Sequence, residues 1–238
     1  MKKSLLLIFA FVSLFSTEIF SQSVASFFDE ADAFFKTHVS NGKVDYKAIH
    51  SSSEKLVALL ELAKNITVST SEANTYKAFW INAYNLAVIK GIIDNYPIKS
   101  PLDKTGFFDT VKYDLGGTSI TLNDIENIKL RAKFEEPRFH FVLVCGAKGC
   151  PPLISKAYKP DSLEKSLQRQ TIKALNNSSF TRVTNNEVAF SEIFKWYKED
   201  FVTKTTSEID FLNTYREQKV PTDAKITYYS YDWRLNSK

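Results

Sequence analysis

The sequence predicts an α+β fold in which a buried central helix packs with other helices against a small, mainly antiparallel sheet. Three observations predict it. Residues 24–38 place apolar side chains in one stripe at helical spacing, and residues 72–94 place them around nearly the whole helix circumference. Short runs rich in β-branched and aromatic residues predict strands between the helices. A papain-like or transglutaminase-like arrangement is one form of this class, by analogy alone.

The first 22 residues have the layout of a secretory signal peptide. Lys2 and Lys3 precede an apolar run from Leu5 to Phe15, and small and polar residues follow. No later stretch approaches the roughly 20 apolar residues that a membrane span needs. We therefore expect an exported protein, periplasmic or extracellular after signal removal, whose residues 23–238 form one domain without a membrane span.

The predicted helices follow from apolar spacing. After residues 24–38, a second helix is expected over 53–64 and the central helix over 72–94, with Phe79 to Ile89 at its centre. Asn82 and Asn85 lie one turn apart on this buried helix. Because buried polar groups need partners, both amides must bond to backbone or to a ligand.

Strands and shorter helices are expected in the second half of the chain. The best predicted strand is Phe139 to Cys145, which is short, β-branched or aromatic, and bounded by Pro137 and Gly146. The other expected elements are a hairpin over 111–121, a helix over 162–175, a hairpin over 180–190, helices over 192–201 and 208–215, and a final strand over 225–233.

Composition limits the classes of function. The formal charge is +4, with basic and acidic residues interspersed, so no basic stripe suited to nucleic acid is present. The chain is 44% hydrophobic, enough for a core without a metal or disulfide framework. Nucleotide-binding, serine-hydrolase and zinc-protease motifs are absent, and no cofactor or metal is predicted.

Cys145, Cys150 and His140 are the candidates for thiol chemistry, in which a base activates a nucleophilic cysteine. On a regular strand, His140 and Cys145 would lie roughly 16 Å apart on opposite faces. Cys150 is then the better partner, because Gly146 and Gly149 let the loop fold back. A bulge in the strand would instead bring Cys145 to the histidine.

Each of these residues also has a purely structural interpretation. In an exported protein, Cys145 and Cys150 commonly form a disulfide, and His140 is then a core or loop histidine. Glu126 is then an exposed helix carboxylate and Arg131 its ion-pair partner. Two cysteines and one histidine do not complete a structural zinc site, which normally has four ligands.

Five ordered motifs resemble the family catalogued as domain of unknown function 547, over nearly all of residues 23–238. They are Val44-Asp-Tyr46, Phe79-Trp-Ile-Asn-Ala-Tyr-Asn85, Asp124-Ile-Glu126 with Leu130-Arg131, Arg138-Phe-His-Phe-Val-Leu-Val-Cys-Gly-Ala-Lys-Gly-Cys-Pro151, and Tyr231-Asp-Trp-Arg-Leu-Asn236.

The resemblance implies a shared polar set without assigning its activity. This set comprises Asn82, Tyr84, Asn85, Glu126, Arg131, His140, Cys145 and Cys150. Family members often carry histidine where this chain has Asn127, so an essential base at that position would be missing here. Plant relatives tend to have serine near the second cysteine, which favours Cys145 as nucleophile.

Two functions fit these residues. The first is a cysteine-dependent hydrolase or acyl transferase acting on amide or peptide-like bonds, with His140 as base and Glu126 or Asn85 orienting the base or the oxyanion. The second is a non-catalytic envelope module that binds a small molecule, peptide or protein. In it Cys145 and Cys150 are bridged, and the ligand contacts are the side chains of Asn82, Tyr84 and Arg131.

Overall fold

A computed structural model describes residues 23–184 and 186–238, and it confirms the α+β class. The predicted signal peptide and Asn185 lie outside these residues. The α-helices are α1 (23–38), α2 (Tyr46–Ser51), α3 (Glu54–Lys64), α4 (Ala73–Asp94), α5 (Leu122–Asp124), α6 (Ala132–Phe134), α7 (Leu163–Leu175), α8 (Glu192–Trp196), α9 (Lys198–Val202) and α10 (Glu208–Tyr215). A π-helix, Ile125–Arg131, joins α5 to α6, and 3-10 turns occur at Pro101–Asp103, Pro137–Phe141 and Pro160–Ser162.

The described strands form three small sheets. They are β1 (Val39–Ser40), β2 (Lys43–Val44), β3 (Lys112–Leu115), β4 (Thr118–Thr121), β5 (Arg182–Thr184), β6 (Glu187–Ser191) and β7 (Lys225–Tyr229). The pairs β1–β2 and β3–β4 are antiparallel hairpins, and the second confirms the hairpin predicted over 111–121. In the third sheet β6 pairs antiparallel with β5 and parallel with β7.

Helix α4 is the centre of the molecule, as its apolar circumference predicts. From Ala78 to Ile89 every side chain is buried, including the two asparagines. Helices α2 and α3, the π-helix and the Pro160–Ser162 turn all pack against α4. A helix that is apolar on all sides reaches this environment only when other elements surround it.

The strand predicted over Phe139–Cys145 is wrong. Pro137–Phe141 form a 3-10 turn, and the backbone N–H groups of Val142 and Leu143 both donate to the carbonyl of Phe139. Residues 139–144 are all buried, so their apolar run is a core segment, and such a run does not distinguish a strand from other buried structure. The separation of His140 from Cys145 expected for a strand therefore does not apply.

The side chain of Asn85 takes the place of the missing strand partner. Its Nδ2 donates to the carbonyl of Val142 at 2.9 Å, and its Oδ1 accepts from the N–H of Val144 at 2.8 Å. These hydrogen bonds are buried, where an unpaired backbone group is costly. One amide on α4 therefore fixes the segment between His140 and Cys145.

Among the described residues, no helix combines the length and the apolar content that crossing a membrane requires.

Replacing Asn85 tests this clamp, by which we mean the two hydrogen bonds from its side chain to the backbone of Val142 and Val144. Asn85→Leu leaves the Val142 carbonyl and the Val144 N–H without partners, and we expect it to lower the free energy of unfolding by about 3 kcal/mol. Urea denaturation measures the loss as a lower midpoint at unchanged slope. The control Asn65→Leu, at the exposed end of α3, should cost less than about 1 kcal/mol. Equal losses for both variants would contradict the role of Asn85 as a clamp.

Candidate functional site

A cavity of about 280 Å³ lies beside α4 and brings together most of the predicted site residues. Its walls combine aromatic rings with a carboxylate, an imidazole and two sulfur atoms. The lining residues are Tyr84, Phe108, Asn123, Glu126, His140, Leu143, Cys145, Cys150, Ile193, Trp196, Tyr197, Tyr231 and Trp233. Reactive groups and an apolar wall in one concavity are typical of a ligand site.

Three predicted site residues lie outside this lining. Asn85 holds the backbone beneath the cavity, as described above. Asn82 does the same for a second segment, because its Oδ1 accepts from the N–H of Tyr158 at 3.0 Å and its Nδ2 donates to the Tyr158 carbonyl at 2.7 Å. Both amides are therefore used internally. Arg131 acts on the site through Asp200.

His140 has a carboxylate on either side of its ring and a hydrogen bond to one of them. Its Nε2 lies 2.7 Å from Oδ2 of Asp200, and its Nδ1 lies 3.9 Å from Oε1 of Glu126. The ring also stacks on Tyr197 with 4.1 Å between centroids. The imidazole is thus fixed in position and in ring orientation.

Asp200 is a site residue that the sequence did not reveal. It lies on α9, where Arg131 donates to both carboxylate oxygens, from Nε at 2.6 Å and from Nη2 at 2.9 Å. Asn127 accepts a further hydrogen bond from Arg131. Asn127 therefore positions the arginine. An aspartate in a short polar helix has no pattern that would single it out.

The environment of Asp200 favours its charged form. Burial alone would raise the pKa of this carboxyl, but the hydrogen bonds from His140 and Arg131 outweigh burial and hold the pKa well below its ordinary value. Asp200 therefore remains a carboxylate that can orient the imidazole.

Cys145 and Cys150 are joined by a disulfide, and no free cysteine occurs among the described residues. Cys145 is partly exposed to the cavity, whereas Cys150 is 8% exposed. The hydroxyl of Tyr231 lies 3.1 Å from Sγ of Cys145 and 3.0 Å from Sγ of Cys150. The backbone N–H of Cys145 also donates to Sγ of Cys150 at 3.0 Å.

The cysteine loop is positioned by the C-terminal segment and by close packing. The N–H groups of Lys148 and Gly149 donate to the carbonyls of Arg234 and Asp232, at 2.7 Å and 2.9 Å. Gly146 has φ of +83°, and an added Cβ would lie 2.6 Å from a methyl of Ile92. At this position the loop lies directly against α4.

The apolar side of the cavity comes from two segments outside the predicted site residues. Trp196 and Tyr197 lie at the junction of α8 and α9, and Tyr231 and Trp233 follow β7. Because aromatic residues are more often core than ligand contacts, their number alone gave no signal. The motif from Tyr231 to Asn236 is the indication that the sequence offers for Tyr231 and Trp233.

Metal binding has no visible basis among the described residues, where no group of three or more His, Cys, Asp or Glu side chains is arranged to hold an ion.

Residues 68–173 match the family model described as "Protein of unknown function, DUF547". The chain contains a DUF547 domain. No curated protein matches the sequence, and no solved structure matches it. The motifs Val44–Tyr46 and Tyr231–Asn236 lie outside the matched residues.

The DUF547 match divides the cavity into two parts. The matched residues contribute the chemically reactive side chains, Glu126, His140 and both cysteines. The rings of Trp196, Tyr197, Tyr231 and Trp233 come from beyond residue 173, and so does Asp200, which contacts His140 but does not line the cavity. The DUF547 segment and the later part of the chain build one cavity together.

Replacing Asp200 tests the contacts of its carboxylate with His140 and Arg131. Because the pKa of Asp200 is lower in the folded protein than its ordinary value, its contribution to stability is fully present above about pH 4 and is lost as the pH falls further. Asp200→Asn should therefore lower the free energy of unfolding by roughly 1–3 kcal/mol at pH 7, and the deficit should shrink below pH 4. Denaturant unfolding at pH 7 and at a pH below 4 measures this deficit in the free energy of unfolding.

The exposed Asp223 provides the control for this experiment. Asp223→Asn should leave stability within about 0.5 kcal/mol of the parent at pH 7. A deficit of Asp200→Asn that is independent of pH would contradict the assignment of a stabilised carboxylate.

Proposed function

We propose that the protein is an exported cysteine-dependent hydrolase or acyl transferase acting on amide or peptide-like bonds, with Cys145 as nucleophile and His140 as base. The observation that carries the proposal is the 2.7 Å hydrogen bond between His140 Nε2 and Asp200, on a histidine lining the same cavity as Cys145. A nucleophile, a base and a group that orients the base form the pattern of a catalytic triad. Asp200 replaces Glu126 and Asn85 as the orienting group.

The disulfide makes this an enzyme that is active only after reduction. A dithiol reductant of the envelope reduces the Cys145–Cys150 bond to two thiols and is itself oxidised to a disulfide, so the electrons balance. Cys145 is the nucleophile because its side chain is the more exposed of the two and lies in the cavity wall. Cys150 is buried and receives the Cys145 N–H, which suits a regulatory partner.

The chemistry then follows the usual course of thiol acyl transfer. The Cys145 sulfur attacks the substrate carbonyl while its proton passes to His140, and the imidazolium is stabilised by Asp200. His140 returns the proton to the departing amine as the carbon–nitrogen bond breaks, leaving a thioester on Cys145. Water, or an acceptor amine, attacks the thioester with His140 again as base, and the Cys145 thiol is regenerated.

The alternative function is a non-catalytic binding module, and the disulfide itself favours it. An exported protein is in a compartment where disulfides persist. If the disulfide is never reduced, the cavity can bind a ligand but contains no nucleophilic cysteine. The hydroxyl of Tyr231 and the side chain of Tyr84 would then contact a ligand.

Thiol chemistry and turnover distinguish these functions. After dithiothreitol treatment we expect Cys145 to be alkylated rapidly at a pH well below about 8.5, the ordinary pKa of cysteine. The reduced protein should cleave members of an amide and ester panel. Cys145→Ala should abolish turnover, and His140→Asn should lower kcat at least a hundredfold, in the range that loss of a general base produces.

Cys150→Ser is the matched control, because it removes the disulfide and leaves the nucleophile. It should be active without a reductant. A reduced and folded protein with no turnover, whose ligand binding is unaffected by either cysteine substitution, would support the binding module instead.

A further inference from the structure

Four aromatic rings that line the cavity form a continuous group. We define the aromatic wall as Phe108, Trp196, Tyr231 and Trp233. Trp233 lies 6.2 Å from Phe108, 5.9 Å from Trp196 and 4.8 Å from Tyr231 between ring centroids. Trp196 is 46% exposed and Tyr231 is 8% exposed, so the wall extends from solvent into the cavity. An aromatic surface in the lining of a cavity that also holds reactive groups is typical of a ligand site.

The charge beside the aromatic wall is negative. Glu126 lines the cavity, and the described lining residues include no lysine or arginine. The nearby Arg131 lies in a two-point ion pair with Asp200, so its charge is already compensated. Burial, and then the charge of Glu126, raise the pKa of Tyr84 and Tyr197, and these tyrosines therefore remain neutral near Glu126.

We propose that the aromatic wall and Glu126 bind an ammonium group of the substrate. Aromatic faces attract a cation through their quadrupole, most strongly where the cation loses water. A carboxylate at the same site adds a direct charge attraction. A neutral ring or sugar would use the wall but would gain nothing from the charge of Glu126, and an anion would be repelled by it.

The location of the wall relates this ammonium group to the bond that is cleaved. Tyr231 belongs to the wall, and its hydroxyl contacts both cysteine sulfur atoms. A cation held against Tyr231 therefore lies next to the Cys145 sulfur. This inference deepens the proposed function, on which it rests for the reaction: the amide substrate, or the acyl acceptor, carries an ammonium group close to its reacting atoms.

Binding to the oxidised protein tests the inference separately from catalysis. Choline and its uncharged carbon isostere, dimethylbutanol, differ in charge at nearly equal shape. In ligand-observed NMR titrations we expect choline to bind roughly tenfold more tightly than the alcohol. Glu126→Gln should reduce choline affinity about tenfold and Trp196→Leu about fivefold, while neither changes the weak binding of the alcohol by more than about twofold.

Glu61→Gln on the exposed face of α3 is the matched control, and it should leave choline affinity unchanged. Equal affinities of choline and the alcohol, or a choline affinity that does not respond to Glu126→Gln, would overturn the inference. If choline fails to bind while the reduced protein turns over uncharged amides, the ligand class is wrong and the proposed function stands. Selective choline binding without any turnover after reduction would support the ligand class and contradict the proposed function.

Discussion

The pairing of the Asn85 side chain with the backbone of Val142 and Val144 is the constraint on which the site depends. It lies between His140 and Cys145 and ties both to the central helix. Without it the Val142 carbonyl and the Val144 N–H would be buried without these partners. The clamp therefore connects the packing of α4 to the chemistry of the cavity, although Asn85 itself does not line the cavity.

Much of the fold could be predicted because it depends on local patterns. The apolar circumference of residues 72–94 predicts a surrounded helix, and the turn residues between 111 and 121 predict a hairpin. The segment Phe139–Cys145 was misjudged because the residues that favour strands also favour any buried position. The hydrogen-bond partner of the backbone distinguishes a strand from other buried structure. Here that partner is the side chain of Asn85, which is distant in sequence.

The candidate site was predictable to the extent that its residues form a recognisable motif. His140, Cys145, Cys150 and Glu126 do so, and the cavity brings them together. Asp200 was missed because its role depends on contacts with Arg131 and His140 across long stretches of chain. The disulfide was one of two alternatives, since spacing alone does not determine the oxidation state of a cysteine pair.

The π-helix Ile125–Arg131 has a consequence for how this site tolerates change in chain length. Glu126 and Arg131 are five residues apart, and in an α-helix they would point about 140° away from each other. The wider π turn brings residues at this spacing onto one face, so that one approaches His140 while the other binds Asp200. Removing a single residue between them would leave a spacing of four residues, which an ordinary α-helix also brings onto one face, about 40° apart. Over these few positions, a one-residue change in length that is matched by a change of helix type would keep both side chains on one face.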